Sequence, residues 1–135
     1  MTNNSIINNL DSCKTDIKLL SKSINKIEKN IKLQIVSKQQ KIEHIEILIK
    51  HGHYLFGENK VQEAKLKWDQ LKKNYPNVKL HLIGSLQSNK VKDAIKIFDV
   101  VESLDRYKLA EKLDYYEKQM NKKLKYFVHY IDYYI

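Results

Sequence analysis

The feature that most limits the fold of this 135-residue chain is a change of hydropathy period at residue 32. Before it, Ile6, Leu10, Cys13, Ile17, Leu20, Ile24, Ile27 and Ile31 recur at alternating spacings of four and three, which draws one apolar stripe along a helix. The stripe spans fewer than four heptads and lacks a sustained opposite-charge pattern beside it. A helix packed on the rest of the domain is therefore expected in preference to a coiled coil. From residue 32 a short apolar run followed by a helical stripe repeats. Leu33, Gln34, Ile35 and Val36 read as a buried strand, and Ile42, Ile45, Leu48 and Ile49 mark one face of the helix after it. Tyr54, Leu55 and Phe56 form a second strand, followed by a helix striped by Val61, Ala64, Trp68, Leu71 and Tyr75. Pro76 ends that helix, because it lacks an N–H and its ring fixes φ. Leu80, Leu82 and Ile83 make a third strand before a short helix with Val91, Ala94, Ile95 and Phe98. Val100 and Val101 open a fourth strand, Leu109, Leu113, Tyr116 and Met120 stripe the next helix, and Tyr126, Phe127 and Val128 begin a fifth strand. Strands joined by crossover helices run parallel, so the chain reads as α/β.

Length leaves two architectures open. A closed (β/α) barrel needs eight units and about 250 residues, whereas this chain supplies four and the start of a fifth. An open doubly wound sheet of five strands also fits. Composition is that of a globular domain, with 42% hydrophobic and 30% charged residues. No apolar run approaches the length of a membrane span, and the polar start Met1 to Asn9 lacks the pattern of a signal peptide, so no membrane role and a cytoplasmic location are expected. Cys13 is the single cysteine and has no partner for a disulfide or a metal knuckle. The net charge of +9 would ordinarily raise nucleic acid as a partner. Here Lys, Ile, Asn and Tyr make up 60 of 135 residues, the lysines are spread over every polar helix face, and Arg106 is the one residue with a base-reading fork. Nucleic acid is not expected.

In a parallel α/β protein chemistry gathers at the C-terminal ends of the strands. Those ends carry Ser37 and Lys38, then Gly57, Glu58 and Asn59, then Gly84 through Lys90, then Ser103 to Arg106. A lysine partly desolvated at such a strand end loses part of its preference for the ammonium form, and its neutral amine can attack an aldehyde. From position alone Lys38 also reads as one solvated lysine among many. Gly57 and Gly84 stand where a β-carbon would block a turn or a flat ligand, although glycine is ordinary at such turns. His81 inside a strand reads as a hydrogen-bonded core residue or a site residue. His44, His51 and His53 lack carboxylate ligands at helical spacing, so no metal is expected. Neither a glycine-rich phosphate loop nor a serine-nucleophile turn is present.

Taken in order along the chain, these strand ends resemble the pyridoxal-phosphate homeostasis protein family, single-domain barrels related to the N-terminal domain of alanine racemase. Val36-Ser37-Lys38 is similar to the family's cofactor-lysine segment at the end of the first strand. Phe56-Gly57-Glu58-Asn59 followed by Val61-Gln62-Glu63-Ala64 resembles its second signature. His81-Leu82-Ile83-Gly84-Ser85-Leu86-Gln87-Ser88-Asn89-Lys90 resembles the most specific one, and Ser103-Leu104-Asp105-Arg106 the fourth. The resemblance implies a partial (β/α) barrel behind an N-terminal helix, with pyridoxal 5'-phosphate held as a Schiff base on Lys38. It implies that Asn59 and His81 line the same mouth, with Gly84, Gln87 and Asn89 in the adjoining cofactor loop. It also implies a protein that binds and hands on the cofactor, without an established catalytic turnover.

The sequence departs from that pattern in three places. Leu80 and Leu82 stand where the family has aromatics, and Gln39, Gln40 and Lys41 replace its Thr-Lys-Pro. The later strands, including the segment that holds the cofactor phosphate, have no counterpart, and residues 129 to 135 no longer resemble the family. The expected organisation is an N-terminal helix over 1–31, a partial barrel over 32–128 and an atypical tail over 129–135, read as a C-terminally truncated member. A half barrel exposes sheet edges through which self-association is expected. Two other function classes compete with this reading: a racemase or decarboxylase on the same barrel, and a basic nucleic-acid-binding module.

Overall fold

The computed structural model describes residues 2–25, 27 and 30–129. It contains helix α1 (Asn3–Ser23), strand β1 (Ile35–Val36), α2 (Ile42–Lys50), β2 (Leu55–Glu58), α3 (Val61–Asn74), β3 (Lys79–Leu82), a 3-10 turn (Ser88–Lys90), α4 (Val91–Ile97), β4 (Val100–Leu104), α5 (Tyr107–Met120) and β5 (Lys125–Val128). The strands form one sheet in the order β1-β2-β3-β4-β5, and every neighbouring pair is parallel. Each strand therefore steps to the next place on the same side. With right-handed crossovers throughout, this puts all the connecting helices on one face of the sheet. A doubly wound sheet would reverse direction once and cover both faces, so the topology decides between the two architectures that length left open.

The covered face is the core. Phe56, Leu80, Leu82 and Val101 point from the strands into it and meet Trp68, Ile95, Phe98 and Leu109 from the helices, all buried. Trp68 lies against Phe56 with ring centroids 5.1 Å apart, and His53 meets Phe56 edge-on at 5.2 Å. Alternation along each strand sends the remaining side chains to the other, concave face. There Gln34, Val36, Leu55, Gly57, His81, Val100 and Glu102 lie beneath no helix, and Phe127 on β5 is 58% exposed. At the N-terminal end of the strands this face opens into a cleft of about 1460 Å³, where Lys79 and Lys125 are joined by Lys14, Lys32 and Lys123.

Helix boundaries follow local chemistry. Thr2 caps α1 through its hydroxyl, which accepts from the Ser5 N–H at 3.3 Å. α3 ends at Asn74, one residue short of Tyr75 and two short of Pro76, as the proline requires. At the end of α4, Lys122 Nζ donates to the Lys96 and Phe98 carbonyl oxygens at 3.0 and 3.1 Å, a cation on exposed helix carbonyls. Burial lowers the pKa of that amine.

The N-terminal stripe is only partly used. α1 ends at Ser23, Ile24 is its C-cap, and Asn25 turns into the left-handed region at φ 51°. Ile6 and Leu10 are buried, whereas Cys13, Leu20, Ile24 and Ile27 are exposed. α1 has 21 residues and packs against α2, which has nine, so its second half overhangs its neighbour. The expected helix over 1–31 is thus corrected to 3–23. Of the tail expected over 129–135, His129 is described and donates its N–H to the Leu104 oxygen at 2.8 Å; the rest lies outside the described residues.

Candidate functional site

Parallel pairing brings the C-terminal ends of all five strands to one rim. The register pairs Val36 with Gly57, Gly57 with His81, and His81 with Val100, which makes one row across the concave face. Two residues further along each strand, the next row holds Lys38, Asn59, Ile83 and Glu102. Gly57 contributes no side chain to the first row. A β-carbon there would stand 2.7 Å from Gln34 Nε2 and 3.3 Å from Ile83 Cγ2. The glycine lets the Gln34 amide and Ile83 pack directly against the strand in the row below Lys38.

Lys38 itself is exposed. The partial desolvation expected for it is therefore not supplied by the described residues. Its backbone, in contrast, is held firmly. Ser37 to Gln40 form a turn closed by the Gln40 N–H on the Ser37 oxygen at 3.1 Å, with Lys38 second and Gln39 third. Gln39 has φ 59°, a left-handed conformation that costs a non-glycine residue about 1 kcal/mol. Three charged residues of the next βα unit surround this turn. Lys67 Nζ donates to the Ser37 oxygen at 2.7 Å and lies 2.7 Å from Glu58 Oε1 and 2.8 Å from Glu63 Oε1. Glu58 Oε1 also accepts from Ser37 Oγ at 2.6 Å and Trp68 Nε1 at 3.1 Å. Glu63 Oε1 accepts the Gln39 N–H at 2.5 Å. Glu58 is fully buried, and its Oε2 has no partner among the described residues.

His81 is half-buried on the concave face, and its Nδ1 lies 2.6 Å from Glu102 Oε1. The carboxylate accepts from that nitrogen, which fixes the ring and leaves Nε2 directed elsewhere. The loop after β3 is pinned by the fourth motif. Ser103 Oγ donates to the Gly84 oxygen at 2.7 Å, and Arg106 Nη2 donates to the Leu86 oxygen at 2.7 Å. Gly84 sits against the Asn59 backbone. The structure thus brings Lys38, Asn59, His81 and Gly84 to one rim, and leaves Gln87 and Asn89 exposed on the 3-10 turn beside it.

Sequence reasoning missed Lys67 and Glu102. Lys67 shows only as the i+4 partner of Glu63, a spacing that usually marks a solvated pair. Glu102 shows only as a charged residue alternating with Val101 and Ser103.

The carboxylates give this region a pH signature. The hydrogen bond from Lys67 holds the Glu63 carboxyl below its ordinary 4.5, helped by the Gln39 N–H, and Lys65 does the same for Asp93 against 3.8. Burial holds His53 below 6.5. All three folded values are depressed, so the unfolded chain takes up each proton first, and stability falls as pH drops. The urea midpoint is expected to decline once below pH 6.5 as His53 is penalised, and again as Glu63 below pH 4.5 and then Asp93 below pH 3.8 lose their ionised form. A midpoint constant from pH 8 to pH 4 would contradict these assignments.

A singly wound parallel sheet with polar loops on the rim defines a segment of a (β/α) barrel whose ligand side is the C-terminal end. No family model matches the sequence. The chain is 40% identical over 116 residues to the pyridoxal phosphate homeostasis protein of Buchnera aphidicola subsp. Schizaphis graminum, a match covering 86% of this chain and 50% of that protein. It superposes with a TM-score of 0.70 and 33% identity on PipY of Synechococcus elongatus, solved with pyridoxal phosphate bound, over 82% of this chain and 51% of PipY. An unknown protein from Bifidobacterium adolescentis, 24% identical, shares the fold with a TM-score of 0.85 over 92% of this chain and 54% of its own. The chain is thus similar to the pyridoxal phosphate homeostasis proteins and spans about half the length of the curated relatives it matches.

Proposed function

We propose that this chain binds pyridoxal 5'-phosphate through Lys38 and serves cofactor homeostasis in the cytoplasm, as a binding protein without catalytic turnover of its own. The observation that carries the proposal is the placement of the Lys38 turn. An amine stands on the C-terminal rim of a parallel sheet, in a row with Asn59 and one row beyond Gly57 and His81. When bound, the cofactor supplies an aldehyde that condenses with a lysine amine and releases water. Lys38 provides the amine, His81 a ring nitrogen oriented by Glu102, and Asn59 and the Gly84 loop the neighbouring polar wall. Gln87 and Asn89 would extend that wall along the 3-10 turn. The kinship with PipY, which holds pyridoxal phosphate, supports this assignment. Water reaches an exposed Lys38, so retention is expected to be weaker than in a protein of the relatives' full length. The open edges β1 and β5, with Val36, Phe127 and Val128 exposed, support self-association as a companion proposal.

The test is a titration of the purified chain with pyridoxal phosphate, followed by borohydride, whose hydride reduces the carbon–nitrogen double bond to a permanent secondary amine. Peptide mapping is expected to find the adduct concentrated on Lys38 and absent from a Lys38→Ala variant. An adduct spread evenly over the lysines, unchanged by the substitution, would overturn the proposal and leave ordinary aldehyde chemistry on a basic surface.

A further inference from the structure

Backbone polar groups on either side of Lys38 are held by the backbone and side chains of the next βα unit. The Ser37 N–H donates to the Gly57 oxygen at 2.9 Å, and the Ser37 oxygen accepts from Lys67 Nζ at 2.7 Å. The Ser37 hydroxyl donates to Glu58, and the Gln39 N–H donates to Glu63. Lys38 lies between these anchors. It is bracketed by the array and takes no bond from it among the described residues.

This array is a poor choice for stability alone. A carboxylate buried as completely as Glu58 is costly to desolvate, and apolar residues of the same volume commonly do as well or better. Glu63 is 29% exposed and could remain solvated, yet it reaches back to the turn of the preceding unit. The bonds it and Lys67 make hold Gln39 in a left-handed conformation that an isolated turn would seldom keep. Stability spent in this way, around one exposed amine on the ligand rim, has a positional purpose.

We infer that Glu58, Lys67 and Glu63 form a clamp that positions Lys38, with Glu63 on the Gln39 N–H as its adjustable outer member. This rests on the reading of Lys38 as the cofactor-bearing residue. The three are positioning residues and touch the ligand through Lys38 alone. The clamp also links the first two βα units at their strand ends, so the amine keeps a fixed place relative to Asn59 and Gly57.

Glu63 is the member to vary, because it is partly exposed and its loss leaves the Glu58–Lys67 pair in place. Two variants, Glu63→Ala and Glu63→Gln, are compared with wild type by amide hydrogen exchange over residues 37–40, by thermal midpoint, and by borohydride-trapped labelling with pyridoxal phosphate at limiting concentration. In Glu63→Ala the Gln39 amide is expected to exchange about tenfold faster or more, the factor for losing one charge-assisted hydrogen bond, while core amides are unchanged. The share of label on Lys38 relative to the other lysines is expected to fall by about fivefold, a modest fraction of that loosening. Glu63→Gln keeps a neutral acceptor and is expected to fall between the two. If Glu63→Ala does not fold, Glu63→Gln alone decides by the same two readouts. A wild-type chain that labels no more at Lys38 than elsewhere overturns the Lys38 reading and the clamp with it. Selective wild-type labelling that both variants retain, whatever the exchange rate at Gln39, overturns the clamp alone.

Discussion

Replacing Lys67 with methionine is expected to destabilise the fold by about 3–5 kcal/mol, the range for removing one partner of a buried ion pair. The direction follows from what is left behind. Lys67 is 8% exposed and its three donors are satisfied by the Ser37 oxygen, Glu58 and Glu63. Without the ammonium, Glu58 keeps a charge in a fully buried site with only the Ser37 hydroxyl and the Trp68 N–H to stabilise it. Single domains are stable by about 5–15 kcal/mol, so the variant would lose a large share of its margin and unfold at a much lower urea concentration. Glu58→Gln is expected to be milder, because Lys67 then retains Glu63. The double variant Glu58→Gln with Lys67→Met should recover a large part of the loss, since no uncompensated charge remains. Urea unfolding of the three proteins provides the check. Equal losses in Lys67→Met and the double variant would mean that the ammonium contributes through packing and its bond to Ser37, and that the charge pairing is incidental.

That cluster also marks the boundary of what the sequence makes legible. Strands and helices could be read because the interior of a parallel sheet imposes continuous apolar runs, and each helix against it imposes a three-four stripe. All five strands and the helices after β1 to β4 fall where those patterns place them, within a residue or three. The sheet order could not be read, since periodicity is identical in singly and doubly wound sheets; the hydrogen-bond register decides it. The motifs at the strand ends located Lys38, Asn59, His81 and Gly84 on one rim without any knowledge of that order, because parallel strands share an end whatever their sequence in the sheet. The supporting residues were hidden for a different reason. Lys67 flanks the stripe of Val61, Ala64, Trp68 and Leu71, where a lysine normally snorkels to water, and only the tertiary approach of the Ser37 turn makes it a buried donor. Glu102 reaches His81 diagonally across β3 and β4, a relation that exists only once their register is known. The second half of α1 failed in the opposite sense. Its apolar stripe continues, but burial requires a neighbour, and α2 is too short to provide one.

A second substitution with a large expected effect separates packing from binding at the rim. Gly84→Ala is expected to cost about 3 kcal/mol or more, above the ordinary range for one added methyl group in a packed site. The new β-carbon would run into the Asn59 carbonyl oxygen, with the carbonyl carbon at 2.9 Å and Cα at 3.0 Å. All three are backbone atoms, so no side-chain rotation relieves the clash. Nor is the backbone free to part. The Ile83 N–H donates to the Glu58 oxygen at 2.9 Å just before the contact, and Ser103 Oγ holds the Gly84 oxygen at 2.7 Å on its other side. Separating the ends of β2 and β3 would strain both bonds, each worth about 0.5–1.5 kcal/mol. Gly57→Ala provides the contrast. Its β-carbon would meet the far end of the Gln34 side chain at 2.7 Å and Ile83 Cγ2 at 3.3 Å, and Gln34 can swing aside. The reduced freedom of the unfolded chain offsets part of that adjustment by about 0.4–1 kcal/mol, so Gly57→Ala is expected to fold nearly as well as wild type. It should nevertheless lower the share of pyridoxal phosphate captured by Lys38, because the displaced Gln34 amide must find another place on the face below it. Urea midpoints for both variants, with borohydride-trapped labelling of Gly57→Ala, distinguish the two glycines. A Gly84→Ala protein as stable as wild type would mean that the rim accommodates a methyl group there, and Gly84 would then have to be explained by the ligand it faces.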